Sequence, residues 1–179
     1  MDNDTKHLFM TSVEIRILAS IMARVSTRSV DECFSTYHAD INSLQYGILR
    51  TLAHGSSTLS ELSRLFVLDP STLVPVIDAL ERKALVSRSK DPADRRRIPL
   101  SLTQQGADLI RDVPLVHEDD LLFQCLRRMG EEKAFQLQSL LREVVQQMPE
   151  GEAMLEAITG RLYASKDDEN VPKPPGCII

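Results

Sequence analysis

Residues 59–106 read LSELSRLFVLDPSTLVPVIDALERKALVSRSKDPADRRRIPLSLTQQG, and the changes of period within them decide the fold. Immediately upstream, Thr58 and Glu61 have the spacing of a capping box: the hydroxyl accepts from the backbone N–H three residues on, and the carboxylate reaches back. Leu59, Leu62 and Leu65 then form the inner face of a short helix. Asp69-Pro70 is a second start signal, an N-cap followed by proline in the first turn, where its missing N–H costs nothing. Leu73, Val76, Ile77 and Leu80 follow at i, i+3, i+4, i+7, the stripe of an amphipathic helix. At Leu85 the period changes. Residues 85–89 (LVSRS) and 98–102 (IPLSL) read as two short strands, and the polar KDPADRRR between them carries an Asp-Pro turn signal. Two short helices on a tight link, then a hairpin with a charged tip, predict a helix-turn-helix with a wing.

Outward from this stretch the chain reads as helix. Val13, Ile17, Ile21 and Val25 recur at helical spacing, predicting a helix from Leu8 to about Val30. Asp40 is placed to cap a second helix, with Leu44, Ile48 and Leu52 on one face and an end near Gly55. Downstream, Thr103 caps a helix predicted to run to about Arg128 with a kink at Pro114. A last helix over 131–148 aligns Leu137, Leu141, Val144 and Met148. Residues 151–163 carry Leu155, Ile158 and Leu162 at the spacing of a further amphipathic turn or two. The tail KDDENVPKPPGCII is charged and then Pro-rich, a composition expected to be disordered. No internal repeat is present. The organisation this predicts is an N-terminal helix (1–40), a helix-turn-helix lobe with a wing (41–103), C-terminal helices (104–149), and a short helix with a tail (150–179). The fold class is mostly α (α+β), a winged helix-turn-helix.

Composition narrows the function. Apolar residues make up 42% of the 179, enough for a core, while aromatics are only 4% and Trp is absent, so the core rests on Leu, Ile, Val and Ala. A net charge of −5 argues against a protein that coats nucleic acid without regard to sequence. Over residues 58–103, however, eight basic residues face six acidic ones, so this segment is positive while the remainder carries the acid. No run reaches the ~18 apolar residues of a membrane span. The start, MDNDTKHLFM, lacks the basic-then-apolar layout of a secretion signal. Cys33, Cys125 and Cys177 are far apart, as expected of reduced thiols in a cytoplasm. Cys33 or Cys125 as a redox sensor is the weaker reading, since a free cysteine is more often a small buried hydrophobe. His7, His38, His54 and His117 show no metal-ligand spacing, so neither a metal nor a cofactor is expected. No nucleophile–base pair, glycine-rich phosphate cradle or paired catalytic carboxylates stand out, and an enzyme is not expected.

The order of motifs in 59–106 resembles the multiple-antibiotic-resistance regulator (MarR) family. The matching pieces are Ser71-Thr72 near the start of the second helix, Leu80-Glu81, Asp91-Pro92, Asp94-Arg95-Arg96 in the wing, and Leu102-Thr103 with Gly106. Each is weak alone, but their order and spacing together are specific. The likeness extends more loosely to about Met148. It implies a cytoplasmic transcription regulator, a repressor or activator, acting as a homodimer on double-stranded DNA. It also implies a small, often aromatic ligand bound between the dimerisation helices and the winged lobe. A proline inside the recognition helix also occurs in the organic-hydroperoxide-sensing branch of the family. That branch senses with a cysteine near the start of its first helix; this chain has none there.

The resemblance and the chemistry of DNA together nominate residues. The first turns of a recognition helix enter the major groove, where hydroxyls meet phosphates or base edges and small apolar groups meet thymine methyls. Ser71, Thr72, Val74 and Pro75 occupy the side of that helix opposite its apolar stripe. In the wing, Lys90, Arg95, Arg96 and Arg97 supply charge. Arg95 is the candidate for the minor groove, and Asp94 with Arg96 is the pair the resemblance implies for stabilising the wing. Taken alone, an arginine run is more often a solvated hairpin tip, and Ser71 and Thr72 also suit a helix start. The alternative function is a winged-helix protein-interaction module that has lost DNA binding, motivated by Pro75, Ala79 and the acidic total charge.

Overall fold

The computed structural model describes residues 2–89, 97–114 and 117–156. Their element order is α1 (Asn3–Thr36), α2 (Ser43–Leu52), α3 (Leu59–Phe66), α4 (Pro70–Arg82), β1 (Val86–Arg88), β2 (Leu100–Leu102), α5 (Gln104–Asp112), α6 (Leu121–Met129) and α7 (Glu131–Gln146). Contacts divide the chain into two compact units. One is built from Met1–Ser43 and Val113–Ala134, the other from Leu44–Asp112 and Phe135–Ile179.

In the second unit, the start signals of α3 and α4 act where the sequence places them. Thr58 Oγ1 accepts from the Glu61 N–H at 3.3 Å, and Glu61 Oε2 accepts from the Thr58 N–H at 2.7 Å, closing the capping box. Asp69 stands at the N-cap of α4 with Pro70 behind it, but its side chain makes no capping hydrogen bond. The core gathers Tyr46, Ile48, Leu49 and Leu52 of α2, Leu62 of α3, and Leu73, Ile77 and Leu80 of α4, closed by Leu85, Val86 and Leu100. Burying each such side chain contributes about 1.5–3 kcal/mol, and their spacing at i, i+4, i+7 on α4 is what turns that helix's other side outward.

Strands β1 and β2 pair antiparallel, Val86 with Leu102 and Arg88 with Leu100, and Ser57 adds a one-residue bridge to Leu100. The end of β2 is fastened to the α4–β1 turn. Thr103 donates its N–H to the Leu85 carbonyl at 3.1 Å and its hydroxyl to the Ala84 carbonyl at 2.6 Å. The same hydroxyl oxygen accepts from the Gly106 N–H at 3.1 Å. The Leu-Thr-x-x-Gly motif is therefore a clasp, with Thr103 capping α5 while it holds the base of the wing.

In the first unit α1 contacts α6. Asp120 caps α6 through its Oδ1, accepting from the Phe123 N–H at 2.8 Å, and its Oδ2 accepts from the Ser29 hydroxyl at 2.9 Å. Phe34 and Val113 are buried. Over most of α1, however, the apolar stripe is uncovered: Ile17, Ile21 and Val25 remain 55%, 54% and 40% exposed. Among the described residues no helix is long and apolar enough to cross a membrane.

Three sequence expectations are corrected. Asp40 does not begin the second helix. That helix starts at Ser43, whose N–H donates to Asp31 Oδ1 of α1 at 2.7 Å, so a carboxylate of the preceding helix holds its first N–H. The helix from Thr103 is not continuous to Arg128 with a kink. It stops at Asp112 and a new helix begins at Leu121, because Pro114 cannot donate and Asp120 supplies a fresh N-cap. The first helix, in turn, extends beyond 8–30 at both ends.

The link between α3 and α4 is strained. Val67 closes α3 with φ 53° and is 70% exposed. The left-handed region costs a residue with a Cβ about 1–2 kcal/mol, and a β-branched side chain fits it worst. Val67→Gly is expected to stabilise the protein by up to about 1 kcal/mol after the glycine's extra backbone entropy, raising Tm by a few degrees. A thermal melt followed by circular dichroism checks this; an unchanged or lowered Tm contradicts it.

Candidate nucleic-acid interface

The exposed side of α4 is built by its buried side. Leu73, Ile77 and Leu80 fix the helix in the core, and Ser71, Thr72, Val74 and Pro75 consequently face solvent over its first half. All four residues nominated on this helix thus lie on one exposed stripe. Pro75 sits inside the helix, which continues through it from Pro70 to Arg82. Having no N–H, Pro75 leaves the Ser71 carbonyl without its usual i+4 donor, a small loss where that carbonyl lies in an exposed first turn.

Charge is concentrated at the other end of α4 and is neutralised there. Arg88 of β1 reaches back with both arms of its guanidinium, to Asp78 Oδ1 at 2.5 Å and Glu81 Oε2 at 2.8 Å. Periodicity could not reveal this group, because its members lie on a helix and a strand joined by a turn; the signal was the Leu80-Glu81 pair followed by a basic residue in the first strand. Arg82, the one basic residue of α4, has its Nε directed to the Asp78 carbonyl at 3.4 Å.

Of the wing residues, Lys90, Asp94, Arg95 and Arg96 lie outside the described residues, as does the pairing of Asp94 with Arg96. Arg97 is described, and the structure gives it a partner: its guanidinium donates to Glu61 Oε1 at 3.1 Å. Glu61 therefore serves twice, capping α3 through one oxygen and holding the root of the wing through the other. Its carboxyl is kept below the ordinary glutamate range chiefly by the Thr58 N–H, with Arg97 and Arg64 adding to the effect and burial opposing it. Arg97 is thus placed as a strut between α3 and the wing.

No groups of three or more His, Cys, Asp or Glu side chains that could hold a metal occur among the described residues. What the surface offers is a helix start with hydroxyl and apolar groups and no basic residue, next to the exposed N-cap carboxylate of Asp69 and set beside a hairpin. That is a shape suited to entering a groove.

Known proteins share the sequence pattern and the fold. The MarR family model matches residues 41–98. The HTH-type transcriptional repressor NicR of Pseudomonas putida is 32% identical over 92 residues, which are 51% of this chain and 52% of that protein. The HTH-type transcriptional regulator FarR of Neisseria gonorrhoeae is 31% identical over 108 residues, 59% of this chain and 73% of that protein. The chain spans about half the length of several of the curated relatives it matches. Among solved structures, a mutant MarR from E. coli complexed with operator DNA superposes with a TM-score of 0.67 at 25% identity, covering 76% of this chain and 97% of that one. The family match over residues 41–98, together with a 31% identical transcriptional regulator covered over 73% of its length, shows that the chain belongs to the MarR family.

Proposed function

We propose that this protein is a sequence-specific, DNA-binding transcription regulator, acting in the cytoplasm as a homodimer on a pseudo-palindromic operator, and not an enzyme. The observation that carries this reading is the stripe of Ser71, Thr72, Val74 and Pro75, held outward by a helix whose opposite side is locked in the core. The E. coli relative, crystallised with operator DNA, supports it. Two recognition helices would read half-sites about one helical turn apart, roughly 34–36 Å. The uncovered apolar stripe of α1, together with Leu141 and Val144 on α7, supports residues 1–40 and 104–149 as dimerisation segments around a lobe at 41–103. An isologous interface would bury that surface against a second copy. A small aromatic ligand would act by binding the two DNA-affinity states unequally.

In this reading Lys90, Arg95 and Arg96 contact the backbone and the minor groove from the wing, Arg96 also pairs with Asp94 to steady it, and Arg97 holds the wing to α3. Substituting Arg95 and Arg96 together with alanine is expected to weaken DNA binding by at least about a hundredfold in the dimer, because four cations leave the interface. Fluorescence anisotropy against duplex DNA checks this. Unchanged binding would transfer support to the protein-interaction module, which the lack of a basic residue in the first half of α4 also suits.

Arg88 makes a separate prediction. Its two ion pairs are more than a third exposed, so each contributes at most about 1 kcal/mol to stability. Removing the guanidinium, however, leaves Asp78 and Glu81 uncompensated on the helix that faces the phosphates. Arg88→Ala is expected to lower DNA affinity roughly tenfold while moving Tm only slightly, and Arg88→Lys to restore part of the affinity. Equal affinity in all three proteins contradicts this placement.

A further inference from the structure

On the regulator reading above, the exposed half of α4 also says what kind of base it reads. In B-DNA the commonest specific contact is an arginine or lysine donating to guanine O6 and N7, and an asparagine or glutamine serves adenine similarly. The first half of α4 offers none of these. Its outward side chains are two hydroxyls, Ser71 and Thr72, and two saturated hydrocarbon surfaces, Val74 and Pro75. Val74 is 39% exposed although its neighbours Leu73 and Ile77 are fully buried, so it is held out to solvent by the packing of the helix.

The described guanidinium groups at the base of the wing are committed elsewhere. Arg88 spans Asp78 and Glu81, and Arg97 is paired with Glu61. Arg82 lies eleven residues beyond Ser71 and is folded onto the Asp78 carbonyl; at 1.5 Å per residue that is about 16 Å along the axis, twice the ~8.5 Å depth of the major groove. A cation there suits the phosphate backbone.

The one hydrocarbon group that base edges present in the major groove is the C5 methyl of thymine. We propose that α4 reads its half-site chiefly through thymine methyl groups packed against Val74 and Pro75, with Ser71 and Thr72 supplying hydroxyl contacts, and without an arginine–guanine pair. The operator half-site should then carry thymines, on one or both strands, at the positions under the start of α4. Pro75 suits this task twice over: its ring is apolar, and it introduces no polar group that would need a partner in the groove.

The test begins from a random-sequence duplex pool enriched on the full-length protein. The preferred duplex is then remade with deoxyuridine in place of thymine, which removes one methyl group and leaves pairing, phosphates and minor-groove acceptors in place. Each replacement under α4 is expected to weaken binding about fourfold, the transfer value of one methyl group. Replacement in the segments flanking the half-sites should leave binding unchanged. Val74→Ala should weaken binding to the thymine duplex and lose much of its sensitivity to deoxyuridine at the position Val74 covers. A change that merely loosened the fold would not move this coupling. A preferred duplex with affinity unaltered by deoxyuridine, or with guanine as the dominant requirement under α4, overturns the inference while leaving a sequence-specific regulator intact. A pool that yields no preferred sequence contradicts the regulator reading itself and the inference with it.

Discussion

Replacing Gly106 with valine is expected to leave the winged lobe unable to fold stably. A Cβ at this position would lie 2.3 Å from the Leu85 carbonyl oxygen and 2.7 Å from Leu102 Cδ1. The first of these atoms cannot retreat cheaply. The Leu85 carbonyl accepts from the Thr103 N–H, and the adjoining Ala84 carbonyl accepts from the Thr103 hydroxyl, so the turn and the start of α5 are fastened on both sides of the clash. Overpacking a core with freedom to adjust costs about 1–3 kcal/mol. A branched side chain driven against hydrogen-bonded backbone should exceed that, against a total stability of only about 5–15 kcal/mol. The expected result is a Tm lowered by more than about 10 °C, or recovery only as aggregate. Gly106→Ala should show a smaller loss in the same direction. A valine variant melting within two or three degrees of the parent would show that this approach is looser than the structure has it.

Substituting Ile17 and Ile21 together with glutamate should separate the proposed dimer and with it the DNA affinity. The two side chains stand four residues apart on α1, so they share a face, and both are more than half exposed within one chain. Nothing in the folding of a single copy therefore opposes the change, whereas an interface between copies would have to bury four added carboxylates. Buried, unpaired charge is prohibitive. Sedimentation at micromolar concentration should show a monomer with unaltered helical content. Binding to a two-half-site duplex should fall by more than about a hundredfold, because linkage of two reading heads accounts for that much avidity. A variant that remains dimeric places the interface elsewhere.

Much of the lobe was legible in the sequence because its signals are local. Thr58 and Glu61, Asp69 and Pro70, and the stripe from Leu73 to Leu80 each specify a helix start or face within a few residues, and the helices appear where those residues put them. The stripe of Ser71, Thr72, Val74 and Pro75 followed from the same periodicity. What was misread depends on residues distant in sequence. The start of α2 lies at Ser43, whose N–H is held by Asp31 of α1, and α6 begins where Asp120 meets Ser29, ninety-one residues away. A pattern of apolar spacing cannot report either contact. The commitment of Arg88 to α4 and of Arg97 to Glu61 was hidden for the same reason, and it changes the meaning of the local charge count. Eight basic residues against six acidic suggested a cationic surface, yet two of those cations hold acidic partners at the base of the wing. In the proposed reading the charge offered to DNA rests instead on Arg95 and Arg96, which lie outside the described residues.

The most direct test of the regulator reading is an anisotropy titration of the full-length protein against a duplex from the region upstream of its own coding sequence. A scrambled duplex of the same composition serves as reference, and both are titrated at two salt concentrations. The expected result is a clear preference for the native duplex, with affinity falling about a thousandfold between roughly 50 and 200 mM salt, as six or more released counterions require. Equal affinity for the two duplexes, or binding indifferent to salt, would contradict a sequence-specific regulator of its own region.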